Sequence, residues 1–305
     1  MDDFFSHENQ SYPPALSDYG SMQPGMKADL LSCLDVFVPD HNAVFPAIAE
    51  MIILDGAVIV NMIKPSISDT FDDYVAKIMN YICRQFAGEV HRVDMVFDLE
   101  ISNSEEKGIR NTKTGCRRIT AESFSGLVIV TRGKIALSSD ASVDVTVLMP
   151  CSQDEADTRT LLHASEGVKQ GLQKIILKTV DTDVVVLCKA WLNRLELNVC
   201  GTAFRYFDAR TMAQALGNKC TALPSFHALT GCDVSSFFGG REKRTSWSAW
   251  NGFREVTVSL CTLAKMPTKD EILDVMPVIE RFVVIIYERG SSDTTVNIAR
   301  KVLFT

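Results

Sequence analysis

The sequence predicts an α/β fold: three α/β/α layers around a mainly parallel, twisted central sheet, with a helical extension at the C-terminal end. Three observations predict it. Short apolar runs of strand length alternate with segments of helical period, the pattern of a parallel sheet covered by helices on both faces. Carboxylates recur where those runs end or a helix begins, at Asp55, Asp98, Glu155, Asp157, Asp181, Asp183 and Asp233. Past residue 245 the strand signal stops and two helical patterns take over.

Residues 1–30 read as a flexible lead-in, rich in Ser, Pro, Gly and Tyr and without period. The α/β domain is expected over 31–245. Met51–Met62 is a β-rich stretch. Phe71, Tyr74, Val75, Ile78, Met79, Ile82 and Phe86 follow helical spacing, with Asp69 or Thr70 as N-cap. Arg92–Asp98 reads as a short strand, and 99–124 is polar, basic and without assigned structure. Val128–Leu137 and Val143–Met149 read as strands. Leu161, Leu162, Ala164, Val168 and Leu172 mark a helix opened by acidic residues and ending near Gly171. Lys174–Val180 is a strong strand that Val184–Leu187 continues or follows with a neighbour. Phe204–Phe207, a helix at Ala209–Leu216 and a turn at Gly217-Asn218 close the domain. In the extension, 246–305, Glu271–Tyr287 and Thr294–Phe304 are helical, with Pro277 as a break. It stops at Leu303-Phe304-Thr305 without a cap and reads as truncated.

Composition narrows the class. In 305 residues, 46% hydrophobic and 23% charged content describe an ordinary globular chain able to bury a large core. No apolar run approaches the ~18 residues of a membrane span. The acidic, polar start is not a secretory signal, which predicts an intracellular protein, nuclear or cytoplasmic. Nine cysteines show no zinc-ligand spacing and read as reduced thiols among apolar neighbours. The net charge of −7 does not advertise a nucleic-acid binder, so local basic patches matter more than the total. A P-loop, a GxGxxG turn and a Ser-His-Asp set are all missing from the sequence.

Each acidic pair alone has an ordinary explanation. Glu155 and Asp157 suit a helix N-terminus, Asp181 and Asp183 a turn, and Asp233 an N-cap. Seven such groups at the carboxyl ends of parallel strands describe a shared pocket instead, the place where α/β sheets collect ligands. The occupant that fits is a hard divalent cation, Mg²⁺ or Mn²⁺. Two ions ~3.5–4 Å apart would make an in-line displacement site for phosphodiesters. Asp55, Asp98, Glu155 and Asp157 are assigned to one ion, and Asp181, Asp183 and Asp233 to the second. Two basic segments fit a nucleic-acid partner, DNA or RNA. One is Lys107, Arg110, Lys113, Arg117 and Arg118; the other is Arg241, Lys243 and Arg244 after Gly239-Gly240. A solvated loop explains the first equally well. Trp247 and Trp250, at i and i+3, suit a core face better than base stacking, and His163 and His227 suit structural roles.

The ordered set Asp55, Val96-Phe-Asp98, Glu155-Ala-Asp157, Asp181-Thr-Asp183 and Leu229-Thr-Gly-Cys-Asp233 resembles the PIN-like/flap endonuclease superfamily of metal-dependent nucleases. The resemblance spans about Ile52 to Lys243. It implies a PIN-like fold and phosphodiester hydrolysis at the seven carboxylates, with Lys and Arg after Asp98 contacting the scissile phosphate. The segment between Asp98 and Glu155 is short for a flap endonuclease, so the helical arch that threads single strands is expected to be reduced. Asp154-Glu-Ala-Asp-Thr-Arg159, Thr179-Val-Asp-Thr-Asp-Val184 and Leu223-Pro-Ser-Phe-His-Ala-Leu-Thr-Gly-Cys-Asp233 also resemble a group of uncharacterised animal proteins tied to mobile elements. Two rival readings stay open. Asp181-Thr-Asp183 after a strand resembles a haloacid-dehalogenase-like phosphatase, although that motif should open the domain. A catalytically silent nuclease-like module, binding nucleic acid or protein, is the other.

Overall fold

The computed structural model describes residues 13, 15–37, 49–97, 126–132, 134–149, 156–191, 197–200 and 206–304. The chain divides into two compact units, one of residues 38–212 and one that joins residues 1–37 to 213–305.

Among the described residues, the first unit is built on a seven-stranded sheet. Its strands are β3 (Met51–Asp55), β4 (Arg92–Val96), β5 (Leu127–Arg132), β6 (Ile135–Ser138), β7 (Ile175–Lys178), β8 (Leu197–Cys200) and β9 (Tyr206–Asp208); β1 (Ser17–Asp18) and β2 (Ser21–Met22) belong to the other unit. The spatial order is β6-β5-β4-β3-β7-β8-β9. The five inner strands pair in parallel, and β6 and β9 close the two edges antiparallel. β3 is almost wholly apolar because both faces are covered, as parallel strands require.

Helices lie on both faces, giving the three layers that the sequence predicts. On one face α2 (Gly56–Met62) and α3 (Phe71–Cys83) bring Ile59, Val75, Ile78, Met79 and Ile82. These pack on Ile52, Leu54, Val93, Met95, Val128 and Val130. Thr70 caps α3 through a capping box with Asp73, which resolves the choice between Asp69 and Thr70. On the other face lie α4 (Ala156–Lys169) and α5 (Thr182–Trp191).

Several sequence expectations change here. Met51–Met62 is a strand followed at once by a helix, because the Asp55 side chain caps Ala57 and Val58. Val128–Leu137 is two antiparallel strands. Val143–Met149 holds a 3₁₀ turn at Thr146–Leu148, not a strand, nucleated by Asp144 accepting the Thr146 amide at 2.9 Å. Val184–Leu187 is helical: three consecutive valines have strand propensity, yet an acidic N-terminus and burial against α4 prevail.

The second unit is helical. A two-residue hairpin of β1 (Ser17–Asp18) and β2 (Ser21–Met22) leads to α1 (Asp29–Leu34). The Ala15 carbonyl accepts from the Gly239 amide at 2.7 Å, and Gln23 is held by Phe237 and Ser236. Residues 15–37 are therefore docked rather than a lead-in. After α6 (Ala209–Leu216), which runs out of the sheet unit, come α7 (Lys219–Leu229) and α8 (Lys243–Gly252). They are followed by α9 (Val256–Leu263), α10 (Lys269–Tyr287) and α11 (Val296–Phe304). Pro277 does not break α10. Trp250 stacks on Phe226 at 4.6 Å and is fully buried, its indole donating to Thr257, so the tryptophans form the core of this unit. The boundary expected at residue 245 falls at 212/213, because α7 packs with α9 in this unit rather than on the sheet. Among the described residues, no helix is long and apolar enough to cross a membrane.

Gly231 ends α7 with φ +104°, and a Cβ there would meet the Phe237 ring at 2.4 Å. Left-handed geometry and close ring contact both demand glycine. Gly231→Ala is expected to cost about 1–3 kcal/mol, read as a lowered urea midpoint of the full chain.

Candidate metal centre

Chain direction in the sheet locates the site. From β3 the chain moves outward through β4 and β5, then returns to the other flank of β3 with β7. The carboxyl ends of β3 and β7 thus form a topological switch point, where open α/β sheets leave a crevice. Three helix N-termini carry carboxylates there. Asp55, the last residue of β3, caps α2 by accepting the Ala57 and Val58 amides at 3.0 and 3.2 Å. Asp157 stands in the first turn of α4. Asp181 sits directly before α5 and accepts the Asp183 amide at 2.8 Å, while its own amide donates to Thr179 Oγ1 at 2.9 Å.

Asp157, Asp181 and Asp183 converge: one carboxylate oxygen from each lies within 4.8 Å of the others. All three are half-buried. Capping explains Asp181 by itself but does not require Asp157 to approach it from a different helix. Each like-charge pair at that separation costs up to roughly 3–4 kcal/mol at an effective dielectric of about 20. Each helix N-terminus returns only about 0.3–1 kcal/mol. Cys188, on α5, has its thiol pushed up to about 12, chiefly by burial. Three carboxylates this close repel one another, and a divalent cation between them would offset that repulsion. The donor set is all oxygen, so a hard ion fits it.

The other assignments fall differently. Asp98 and Glu155 lie outside the described residues, as do Lys107, Arg110, Lys113, Arg117 and Arg118. Asp55 serves as a helix cap and is not one of the converging three. Asp233 belongs to the helical unit, where it pairs with Lys27. Its motif, Leu229-Thr-Gly-Cys-Asp233, is the termination of α7: Thr230 Oγ1 donates back to Phe226, and Gly231 turns the chain.

The Arg241–Arg244 segment is corrected in part. Lys243 is 0% exposed, and its ammonium donates to the His227 carbonyl and Thr230 Oγ1 at 2.9 and 3.0 Å. It therefore satisfies the carboxyl end of α7 and cannot contact a nucleic-acid backbone. Arg241 does the same for α10, donating to the Tyr287 carbonyl at 2.9 Å while lying over that ring. Arg244 alone of the three is exposed, at 60%, with Asp29 3.5 Å away. Lys243→Met keeps volume but strands two buried acceptors. It is expected to destabilise the helical unit by about 2–4 kcal/mol, measured by chemical unfolding.

One set of functional relevance was not read from the sequence. Asp94, in the middle of β4, is fully buried and held bidentately by Arg92 Nε and Nη2 at 2.8 and 2.6 Å. His163 Nδ1, on α4, lies 2.5 Å from Asp94 Oδ2. Burial pushes the Asp94 carboxyl up, but the hydrogen bonds from His163 and Arg92 outweigh it and hold the carboxyl below its ordinary range. An ionised carboxylate only accepts, so His163 donates from Nδ1. The signal was present as polar residues alternating at 92 and 94 within an otherwise apolar strand.

No protein-family model matches the chain, and no curated protein matches it. Solved structures similar to it include these two. One is a bacteriophage T5 flap endonuclease, in a pseudo-enzyme–product complex with DNA and metal ions. It has 11% identity, covers 83% of this chain and 98% of that one, and has a TM-score of 0.37. The other is the catalytic core of Rad2 in complex with DNA substrate. It has 13% identity, covers 81% and 80% of the two chains, and has a TM-score of 0.36.

Proposed function

We propose that the α/β unit is a divalent-cation-dependent nuclease that hydrolyses phosphodiester bonds of DNA or RNA, with Mg²⁺ or Mn²⁺ held by Asp157, Asp181 and Asp183. The observation that carries the reading is the convergence of three carboxylates from two helices at the switch point of the sheet. The ordered acidic motifs of the sequence support it independently. Asp98, two residues past β4 in sequence, and Glu155, directly before α4, are proposed to extend the ligand set to a second ion.

A bound ion would lower the pKa of an attacking water and neutralise charge building on the phosphate oxygens. The chain's own residues supply the framework. The Asp181 amide donates to Thr179 Oγ1 and its Oδ1 accepts the Asp183 amide, which orients the carboxylate before any ligand arrives. Phe97, the residue before Asp98, is pinned from both sides: its amide donates to Thr131 Oγ1 at 2.9 Å and its carbonyl accepts from Arg159 at 3.0 Å. Arg244 and the basic run 107–118 are proposed to meet the nucleic-acid backbone. A nuclear or cytoplasmic setting accords with such a substrate.

The test is cleavage of linear and branched DNA and RNA by the full chain with Mn²⁺, Mg²⁺ or EDTA, with Asp181→Ala as control. Cation-dependent cleavage lost in the variant supports the reading. Nucleic-acid binding that ignores both cation and variant, with no cleavage, replaces it with the silent binding module. A trapped phosphoenzyme on Asp181 would replace it with the phosphatase.

A further inference from the structure

α4 is attached to β4 by polar contacts along its length. Arg159 donates to the Phe97 carbonyl, His163 to Asp94, and Gln170, just past the helix, accepts from Arg92 Nη1 at 2.9 Å. At 3.6 residues per turn, positions 159, 163 and 170 fall within about 40° of one another, a single stripe. The two ends also match in length. Eleven residues of helix rise about 16 Å, and five residues of strand from Arg92 to Phe97 rise about 16 Å. The helix runs antiparallel to the strand, so each pin meets its partner in order.

An apolar interface would tolerate a slip, because one methyl group substitutes for another at small cost. This interface does not. A one-residue slip would rotate α4 by about 100° and leave the buried Asp94 carboxylate facing the wrong side chains. Uncompensated buried charge costs several kcal/mol, and register setting is the best-attested use of buried polar groups. The same 100° rotation would swing Asp157, in the first turn, away from Asp181 and Asp183. His163 Nε2 has no hydrogen-bond partner despite complete burial, so the ring is retained at a cost that its contact to Asp94 must offset.

We propose that the Arg92–Asp94–His163 clasp, with Arg159 and Gln170 at its ends, is a positioning device that sets the register of α4 and so delivers Asp157 to the carboxylate cluster. The consequence for cation binding rests on the proposed function; the register itself does not.

The experiment replaces the clasp with apolar groups, as Arg92→Met/Asp94→Val/His163→Leu, in the full chain. Register is read by placing cysteines at the two ends of the contact, Asp157→Cys/Asp183→Cys. The disulfide formed on mild oxidation is then quantified by peptide mass spectrometry. Efficient cross-linking is expected with the clasp and at least about fivefold less without it, while circular dichroism and the unfolding midpoint stay close to the parent. Mn²⁺ titration of the chains retaining Asp157 and Asp183 is expected to weaken by about 10–100-fold. His163→Gln, which keeps a donor toward Asp94, is expected to restore cross-linking relative to His163→Leu. If the triple variant fails to fold, Arg159→Met/Gln170→Met removes the end pins and leaves the buried ion pair, with the same expected loss. Equal cross-linking with and without the pins overturns the proposal. A parent chain that cross-links but takes up no Mn²⁺ overturns the cation site and leaves the register device standing.

Discussion

Asp94→Ala is expected to destabilise the α/β unit by about 3–5 kcal/mol, a large part of the 5–15 kcal/mol typical of a whole domain. Removing the carboxylate leaves the Arg92 guanidinium buried without its bidentate partner and His163 with neither ring nitrogen bonded. Urea unfolding followed by far-ultraviolet dichroism should show one transition moved and one retained, since Asp94 lies in only one of the two units. A variant whose midpoint stays within 0.2 M of the parent would mean that the clasp is structurally neutral. The pH dependence has a definite sign. A carboxyl held below its ordinary range adds stability that is present above the unfolded value of about 3.9 and is lost as pH falls through the lower folded value. The difference between parent and variant should therefore be full at pH 7 and shrink below about pH 4.

The same residues show what could be read from the sequence. The alternation of apolar runs located β3, β4 and β7, because buried parallel strands must be continuous in apolar character, and the acidic positions marked the start of α4 and the end of β7. Asp157, Asp181 and Asp183 were legible as members of one acidic pocket for that reason, but the sequence reading divides them between two ions, and the structure brings them together. The Val184–Val186 run was misread because propensity favours a strand, while tertiary packing against α4 chose a helix. The basic segment 241–244 was misread for a different reason. A cluster of cations looks the same in sequence whether it faces phosphate or caps helices, and only the fold reveals that two of its charges complete the ends of α7 and α10. The Arg92–Asp94–His163 clasp needed a contact 69 residues apart. The alternation at 92 and 94 marked Asp94 as out of place in an apolar strand, but nothing local named His163 as its partner.

Neutralising the converging carboxylates should separate stability from function. Asp157→Asn, Asp181→Asn and Asp183→Asn are each expected to weaken Mn²⁺ binding by at least about tenfold. Each should also slow cation-dependent cleavage by roughly 10²–10³-fold, the range for losing one preorganised contact to the transition state. The same changes should leave the unfolding midpoint equal to or above that of the parent without cation. The amide replacing the Asp181 carboxylate still offers an oxygen to the Asp183 backbone N–H, and each neutralisation removes two like-charge contacts. Added Mn²⁺ should then raise the parent's midpoint and leave the variants unmoved, since only a folded site that binds gains from mass action. Binding should weaken as pH falls, because oxygen ligands must be deprotonated and uptake of the ion releases protons. Calorimetry in buffers of different ionisation enthalpy reads that release directly. A triad variant that lost stability while keeping Mn²⁺ affinity would identify these three aspartates as caps of α4 and α5 and nothing more.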